Sequence, residues 1–484
     1  MNNQPNPEPA VAFRLDAPTG GANRGVLLSA PAQWNGYLES LAFAPVTVLA
    51  SLLQSRRITS RQIVEQCLRR IERLAAPLYC VVSQTPFDAA LAAADRADAE
   101  IMRGQYRGLL HGIPYGAKDS FATRELPTTD GAKRYASRVL GYDAVAVTRL
   151  ENTGAILLAK LSMGELAMDD VWYGGQTRNP WNPEAGSSGS SAGSASAVAA
   201  GLLPFALGGE TWGSIVSPCA VCGTTGLRPT PGRLPRTGVS ALSWSMDKIG
   251  VITRSVADCA LVMDALRGAD AGDLSSMDAA FDCDLSAPLT DLRIGYDVSG
   301  FAALPDEQIA LFDDAKARIE TMCGAALVPV ELPALSPEYD ALPMTIIGVE
   351  GATSYAAFIA DNGLNELVRQ GEDNWPQIFR RAQSVTAVQY LQAQQLRARL
   401  QAEMTAALAG IDVYLTPSCR GESLRYTNLA GQPEVVTRAG FAADGSPVAL
   451  SVVGNLWRED AALRVAHAFE QMADLSERVP PGFA

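Results

Sequence analysis

The chain reads as an α/β protein: a single large α/β/α domain whose mixed, twisted central sheet is covered by helices on both faces. Short apolar runs of strand length alternate with amphipathic helical patterns along most of the 484 residues, which is how a sheet layered between helices is written. The composition agrees, with 42 Gly, 29 Pro and only 19% charged residues. A chain of this length can bury a sizeable core, and no internal repeat is visible.

Residues 1–40 are irregular and rich in Pro, Asn and Gly, which predicts a surface arm ahead of a domain spanning 41–484. Thr59-Ser60-Arg61-Gln62 is a capping box that opens the first long helix. Behind it Ile63, Cys67, Ile71 and Leu74 recur at helical spacing and form a core face. Buried strands are expected at 79–83, 113–117, 155–161, 203–207, 292–296, 327–332, 413–416 and 448–453. Among the helices between them are 255–266, capped by Ser255, and 384–408, while 268–290 reads as a loop.

The net charge of −13 leaves no basic face to expect, so neither a nucleic acid nor an anionic membrane is anticipated as a partner. No apolar run reaches the length of a membrane span. The start, MNNQPNPEPAVAF, lacks the basic and apolar regions of a signal peptide. Eight cysteines are too sparse for a disulfide scaffold. Cys219 and Cys222 form a lone CxxC with no histidine nearby, so packing rather than zinc is expected. These readings predict a reduced, cytoplasmic protein with a small-molecule substrate, no metal and no cofactor; a homodimer is left open.

Residues 185–201, AGSSGSSAGSASAVAAG, hold six serines, six alanines, four glycines and one valine. A linker would adjoin polar neighbours, but this stretch leads into the apolar run Leu202–Leu207. It therefore reads as a tightly packed turn followed by a short helix. It has no lysine for a phosphate loop and no dinucleotide fingerprint. Its uncharged hydroxyls suit hydrogen bonding and proton relay.

Next, Gly208-Gly209-Glu210-Thr211-Trp212-Gly213-Ser214-Ile215 is a glycine-rich turn after a strand. Such a turn can aim consecutive backbone N–H groups at one point, as an oxyanion hole requires, and its serine is a nucleophile in want of a base. Histidine occurs only at 111 and 467. His467 sits on an amphipathic C-terminal helix and His111 at a strand edge, and both read as structural. Lysine occurs five times (118, 133, 160, 248, 316) against 34 arginines. A lysine that must lose its proton cannot be replaced by arginine, and Lys118, in Gly116-Ala117-Lys118-Asp119-Ser120, follows an apolar strand.

Together, Gly112-Ile113-Pro114 through Lys118-Asp119, Gly189-Ser190-Ser191-Ala192-Gly193-Ser194, Gly213-Ser214-Ile215 and Gly226-Leu227-Arg228-Pro229-Thr230-Pro231-Gly232-Arg233 resemble the amidase signature family. The resemblance spans roughly residues 45 to 475, with its core motifs in 110–235. It implies hydrolysis of a carboxylic amide, and by the same acyl-enzyme route of an ester or carbamate. It also implies a catalytic triad of Lys118 (base), Ser190 (bridge, following a cis peptide) and Ser214 (nucleophile). The backbone N–H groups of Thr211, Trp212, Gly213 and Ser214 would form the oxyanion hole. Lys118 must then be neutral near pH 7, which costs on the order of 4 kcal/mol at about 1.36 per pKa unit. Burial supplies shifts of that size, with Asp119 the one evident charge opposing it.

Two alternatives stand beside this reading: the A subunit of a tRNA-dependent amidotransferase, acting as a glutaminase with a partner subunit, and a catalytically inactive binding protein on the same fold. Several positions depart from the family. Trp212 stands where glycine is common, Glu210 where aspartate is common, and Val216 where arginine is frequent. The missing arginine removes an expected ion-pair partner of Glu210. Trp212 is expected to narrow the acyl pocket or stack on an aromatic group, with Trp172, Tyr173 and Trp244 as further substrate-binding candidates.

Overall fold

The computed structural model describes residues 15, 17, 22–28, 38–473, 475 and 478–483. Most of the N-terminal arm lies outside them. Its described strand, Gly25–Leu27, pairs in parallel with Asp282–Asp284, inside the segment expected to be loop.

Eleven strands form one mixed sheet in the order Val328–Val330, Ile294–Asp297, Val413–Pro417, Pro447–Gly454, Glu434–Phe441, Thr225–Arg228, Lys248–Thr253, Phe205–Glu210, Pro114–Lys118, Ile156–Leu161, Val81–Gln84. All eight expected strands are present within a few residues. Thr225–Arg228, Lys248–Thr253 and Glu434–Phe441 escaped the sequence reading, and the reason is physical. Each ends or begins on a charged residue, Arg228, Lys248 or Glu434, that is at most 3% exposed, and a buried charge at a strand end shortens the apolar run that marks a buried strand.

The first long helix runs Ser60–Leu78 and opens with the expected capping box: Thr59 Oγ1 accepts the Gln62 N–H and Gln62 Oε1 accepts the Thr59 N–H. The late helix begins at Ala387 rather than at 384, because Thr386 and Gln389 form a second capping box there. Helices between 337 and 407 build a separate apolar cluster around Leu342, Ile346, Phe379 and Leu400. Among the described residues, no helix is long and apolar enough to cross a membrane.

Topology alone brings three distant segments together. Pro114–Lys118 and Phe205–Glu210 are parallel neighbours, so their carboxyl ends share one edge of the sheet, where ligands of α/β sheets gather. Lys248–Thr253 runs antiparallel to Phe205–Glu210 with Lys248 opposite Glu210, which puts its first residue at that same edge. The stretch 185–201 folds as a turn and the helix Ala192–Ala199, every residue of that helix buried.

Close approach explains why this helix holds nothing larger than valine. A Cβ on Gly193 would sit 2.4 Å from both the Cys80 carbonyl oxygen and the Ser162 nitrogen. Gly193→Ala gains about 1 kcal/mol of helix propensity, but the clash is with backbone, which cannot rotate away. We expect a net loss of about 1–3 kcal/mol from overpacking, read as a lower midpoint in urea unfolding.

Candidate active site

Lys118 ends its strand 2% exposed. Its Nζ lies 2.8 Å from Ser190 Oγ and 2.8 Å from the Gly209 carbonyl oxygen. Two partners suit a neutral amine, which can donate one N–H to the carbonyl and offer its lone pair to the serine hydroxyl. Burial pulls the Lys118 pKa down to about 7, against the resisting carboxylates of Asp247, Glu210 and Asp130. Asp119, the expected opponent, is instead engaged elsewhere: its Oδ1 lies 3.3 Å from buried Lys160 Nζ, and its Oδ2 accepts from the Thr129 N–H and hydroxyl.

Ser190 follows the cis peptide Gly189–Ser190 and is 1% exposed. The neighbouring hydroxyls are structural ties. Ser191 Oγ donates to the Gly209 carbonyl (3.0 Å) and accepts the Gly209 N–H (3.1 Å). Ser194 Oγ donates to the Leu207 carbonyl (2.9 Å), and Ser196 Oγ to that of Arg178 (2.7 Å). The Ser191 N–H reaches the Ser214 carbonyl at 3.1 Å, so the turn bearing Ser190 is bonded directly to the turn bearing Ser214. Of the six serines, Ser190 is the one whose side chain reaches Lys118.

Ser214 is 6% exposed, between its strand and the helix Val216–Cys222. Glu210 fixes the far side of this turn. Its Oε2 accepts the Ile215 and Val216 N–H groups at 2.7 and 3.0 Å, and its Oε1 accepts from Arg228 Nη1 (2.7 Å) and Asn428 Nδ2 (2.8 Å). Burial penalises the Glu210 charge, but Arg228, Lys248 and the Val216 N–H outweigh it and hold the carboxyl at about 2. The ion-pair partner missing at position 216 is thus supplied by Arg228, which also meets Glu434 at 3.1 Å. Among the described residues, the N–H groups of Thr211, Trp212, Gly213 and Ser214 donate to no protein acceptor, leaving them available to a ligand.

A pocket of about 500 Å³, including its mouth open to solvent, adjoins Lys118. Thr211, Asp247 and Lys248 make its polar wall, and Leu242, Ile249 and Tyr355 are among its apolar lining. None of the aromatic candidates lines it. Trp212 is half-buried against the helical cluster, its ring 5.9 Å from the Arg425 guanidinium carbon. Trp172 is buried, donates its indole N–H to the Tyr79 carbonyl (3.0 Å) and meets Tyr173 edge-on. Trp244 is half-buried, and its carbonyl accepts from Arg236.

Both histidines lie outside this pocket: His111 Nε2 faces Glu100 Oε2 at 3.2 Å, and His467 is on the last helix. Cys219 and Cys222 are buried free thiols. The sequence reading missed Asp247 and Lys248. A lysine opening the apolar run Ile249–Ile252 was the available signal.

The chain matches the family model described as Amidase over residues 62–427. It is 34% identical over 473 residues to the A subunit of the glutamyl-tRNA(Gln) amidotransferase of Acinetobacter baumannii (strain AB0057), covering 88% of this chain and 95% of that one. It is 32% identical over 480 residues to the corresponding subunit of Methylococcus capsulatus, covering 90% and 98%. Its structure is similar to the peptide amidase from Stenotrophomonas maltophilia at a TM-score of 0.82 and 30% identity, covering 92% and 99%. It shares its fold with a bacterial aryl acylamidase of the amidase signature enzymes at a TM-score of 0.77, 24% identity, and coverage of 89% and 96%.

These relatives correct the exclusion of a nucleic-acid partner, because the enzyme they belong to is named for a tRNA. A mean charge excludes only a chain-wide electrostatic footprint, and one subunit of a larger enzyme need not carry that footprint.

Arg228 neutralises two buried carboxylates at once. Arg228→Ala leaves both without that cation and should cost about 3–5 kcal/mol of stability. The deficit should narrow as pH falls and protonation removes the stranded charges; urea unfolding at several pH values checks both statements.

Proposed function

Because the chain belongs to the amidase (amidase signature) family, we propose that it cleaves a carboxamide C–N bond through an acyl-enzyme, with Ser214 as nucleophile, Ser190 as bridging hydroxyl and Lys118 as base. The observation that carries this reading is the buried Lys118 Nζ at 2.8 Å from Ser190 Oγ. Neutral Lys118 takes the Ser190 proton as Ser190 takes that of Ser214, whose oxygen adds to the acyl carbon. The N–H groups of Thr211, Trp212, Gly213 and Ser214 stabilise the resulting oxyanion. Ser190 then protonates the departing nitrogen, and water enters by the same relay in reverse.

Two arrangements share this chemistry. One is a free-standing amidase, for which likeness to the peptide amidase speaks. The other is the A subunit of an amidotransferase that frees ammonia from glutamine; likeness to such subunits over 88–90% of the chain favours it more strongly. In either case the Trp212 ring lies against the helical cluster and outside the pocket beside Lys118, so Trp212 serves the site through its N–H.

Ammonia release from glutamine, measured beside turnover of peptide amides, anilides, esters and carbamates, separates the two. A chain inert toward all of them, and unlabelled at Ser214 by a fluorophosphonate, would overturn the proposal. The base must be unprotonated, so kcat/KM should rise tenfold per pH unit below about 7 and level off above it. Lys118→Arg, which stays charged, should lose about 10²–10⁴-fold in kcat at pH 8; full activity in it would remove Lys118 from the mechanism.

A further inference from the structure

A second lysine is buried in the same pocket, and its surroundings differ in kind. Lys248 is 3% exposed and lies opposite Glu210 in the sheet register. Its Nζ has three acceptors: the Thr211 carbonyl at 3.1 Å, Asn428 Oδ1 at 2.7 Å, and the Met246 carbonyl. Three acceptors use every N–H of an ammonium and leave no lone pair for a proton. Burial, and after it the nearby Arg228, press its pKa well below the usual lysine value against Glu210 and Asp247. Its three oxygen partners make Lys248 a hydrogen-bond donor to fixed acceptors, where Lys118 faces a hydroxyl. A buried polar side chain is costly unless it is hydrogen-bonded, and this one opens a strand whose next residues, Ile249–Ile252, are otherwise apolar.

Its contact with Thr211 has a direct geometric consequence. The peptide joining 211 to 212 is planar and trans, so its C=O and N–H point in opposite directions. Drawing the Thr211 carbonyl onto Lys248 Nζ turns the Trp212 N–H to the other side of the turn. It also polarises that peptide, making its N–H a better donor. The residue before Lys248 grips the same threonine by its side chain: Asp247 Oδ1 accepts from Thr211 Oγ1 at 2.5 Å, while Asp247 Oδ2 is held by the Leu242 and Ser243 N–H groups at 2.7 and 3.0 Å.

We infer that Lys248 is a positioning residue that, with Asp247, sets the oxyanion-binding turn by clamping Thr211. This rests on the assignment of Ser214 as nucleophile and of the adjacent N–H groups as the oxyanion site. A clamp that acts on the oxyanion alone changes transition-state binding and leaves ground-state binding untouched.

The test compares Lys248→Met and Thr211→Val with the full-length wild type, using the best substrate of the panel and an aryl boronic acid, whose tetrahedral adduct carries the oxyanion. Lys248→Met should lower kcat by about 10–100-fold and weaken boronate binding by a similar factor, with KM within about twofold. Lys248→Gln, which keeps an N–H donor, should recover most of the loss. Thr211→Val should show the same pattern more weakly. Wild-type boronate affinity in Lys248→Met, or a raised KM with unchanged kcat, overturns the inference. Should Lys248→Met fail to fold by circular dichroism, unaltered boronate affinity in Thr211→Val overturns it instead. Fluorophosphonate labelling of wild-type Ser214 keeps the two claims apart: without it the functional reading falls, whereas with it an unaffected Lys248→Met sinks this inference alone.

Discussion

The site depends on taking one amine out of water. Lys118 is delivered by a strand that is buried along its whole length, and the ammonium would lose its hydration there for only two oxygen contacts. Desolvation disfavours the charged form, and here it outweighs three resisting carboxylates. The small-residue turn, the cross-links by Ser191 and Ser194, and the parallel pairing of two strands all serve to bring a hydroxyl to that amine while keeping water away. A looser turn would admit water and restore the charge.

The number of acceptors then divides the buried lysines by role. Lys160 meets the Pro127 carbonyl (3.1 Å), the Thr128 hydroxyl (3.0 Å) and the carboxyl group of Asp119 (3.3 Å), so it has three partners. Lys248 meets three neutral acceptors and feels Glu210 nearby. Lys118 alone of the three faces a hydroxyl and a carbonyl with its third position free of protein acceptors among the described residues. Burial is common to all three and does not set them apart; hydrogen-bond stoichiometry does.

This is also where legibility ends. Strand positions, the capping box at Thr59 and the segment carrying Lys118 could be read because they depend on local periodicity and spacing. The pairing of Glu210 with Arg228 could not, since the two share a neighbourhood only once Lys248–Thr253 has paired with both Thr225–Arg228 and Phe205–Glu210. A missing arginine at 216 looked like a lost ion pair because sequence shows the vacancy and hides the substitute. Asp119 looked like a neighbour of Lys118 because it is adjacent in the chain, yet it lies just past the strand end and turns to Lys160. Net charge failed for a related reason: it averages over a surface, while recognition is local.

The same geometry explains why the turn tolerates unusual side chains. Glu210 holds it at the Ile215 and Val216 N–H groups, and Lys248 with Asp247 holds it at Thr211. Every one of these grips except the Thr211 hydroxyl is on main chain. The intervening N–H groups of Trp212, Gly213 and Ser214 are set by what happens at the two ends, so the side chain at 212 can change without moving them. Trp212 can therefore lie against the helical cluster and beside Arg425 while the N–H groups of the turn stay where its two ends hold them. Backbone position and side-chain identity at 212 are separable because the turn is gripped almost entirely through its main chain.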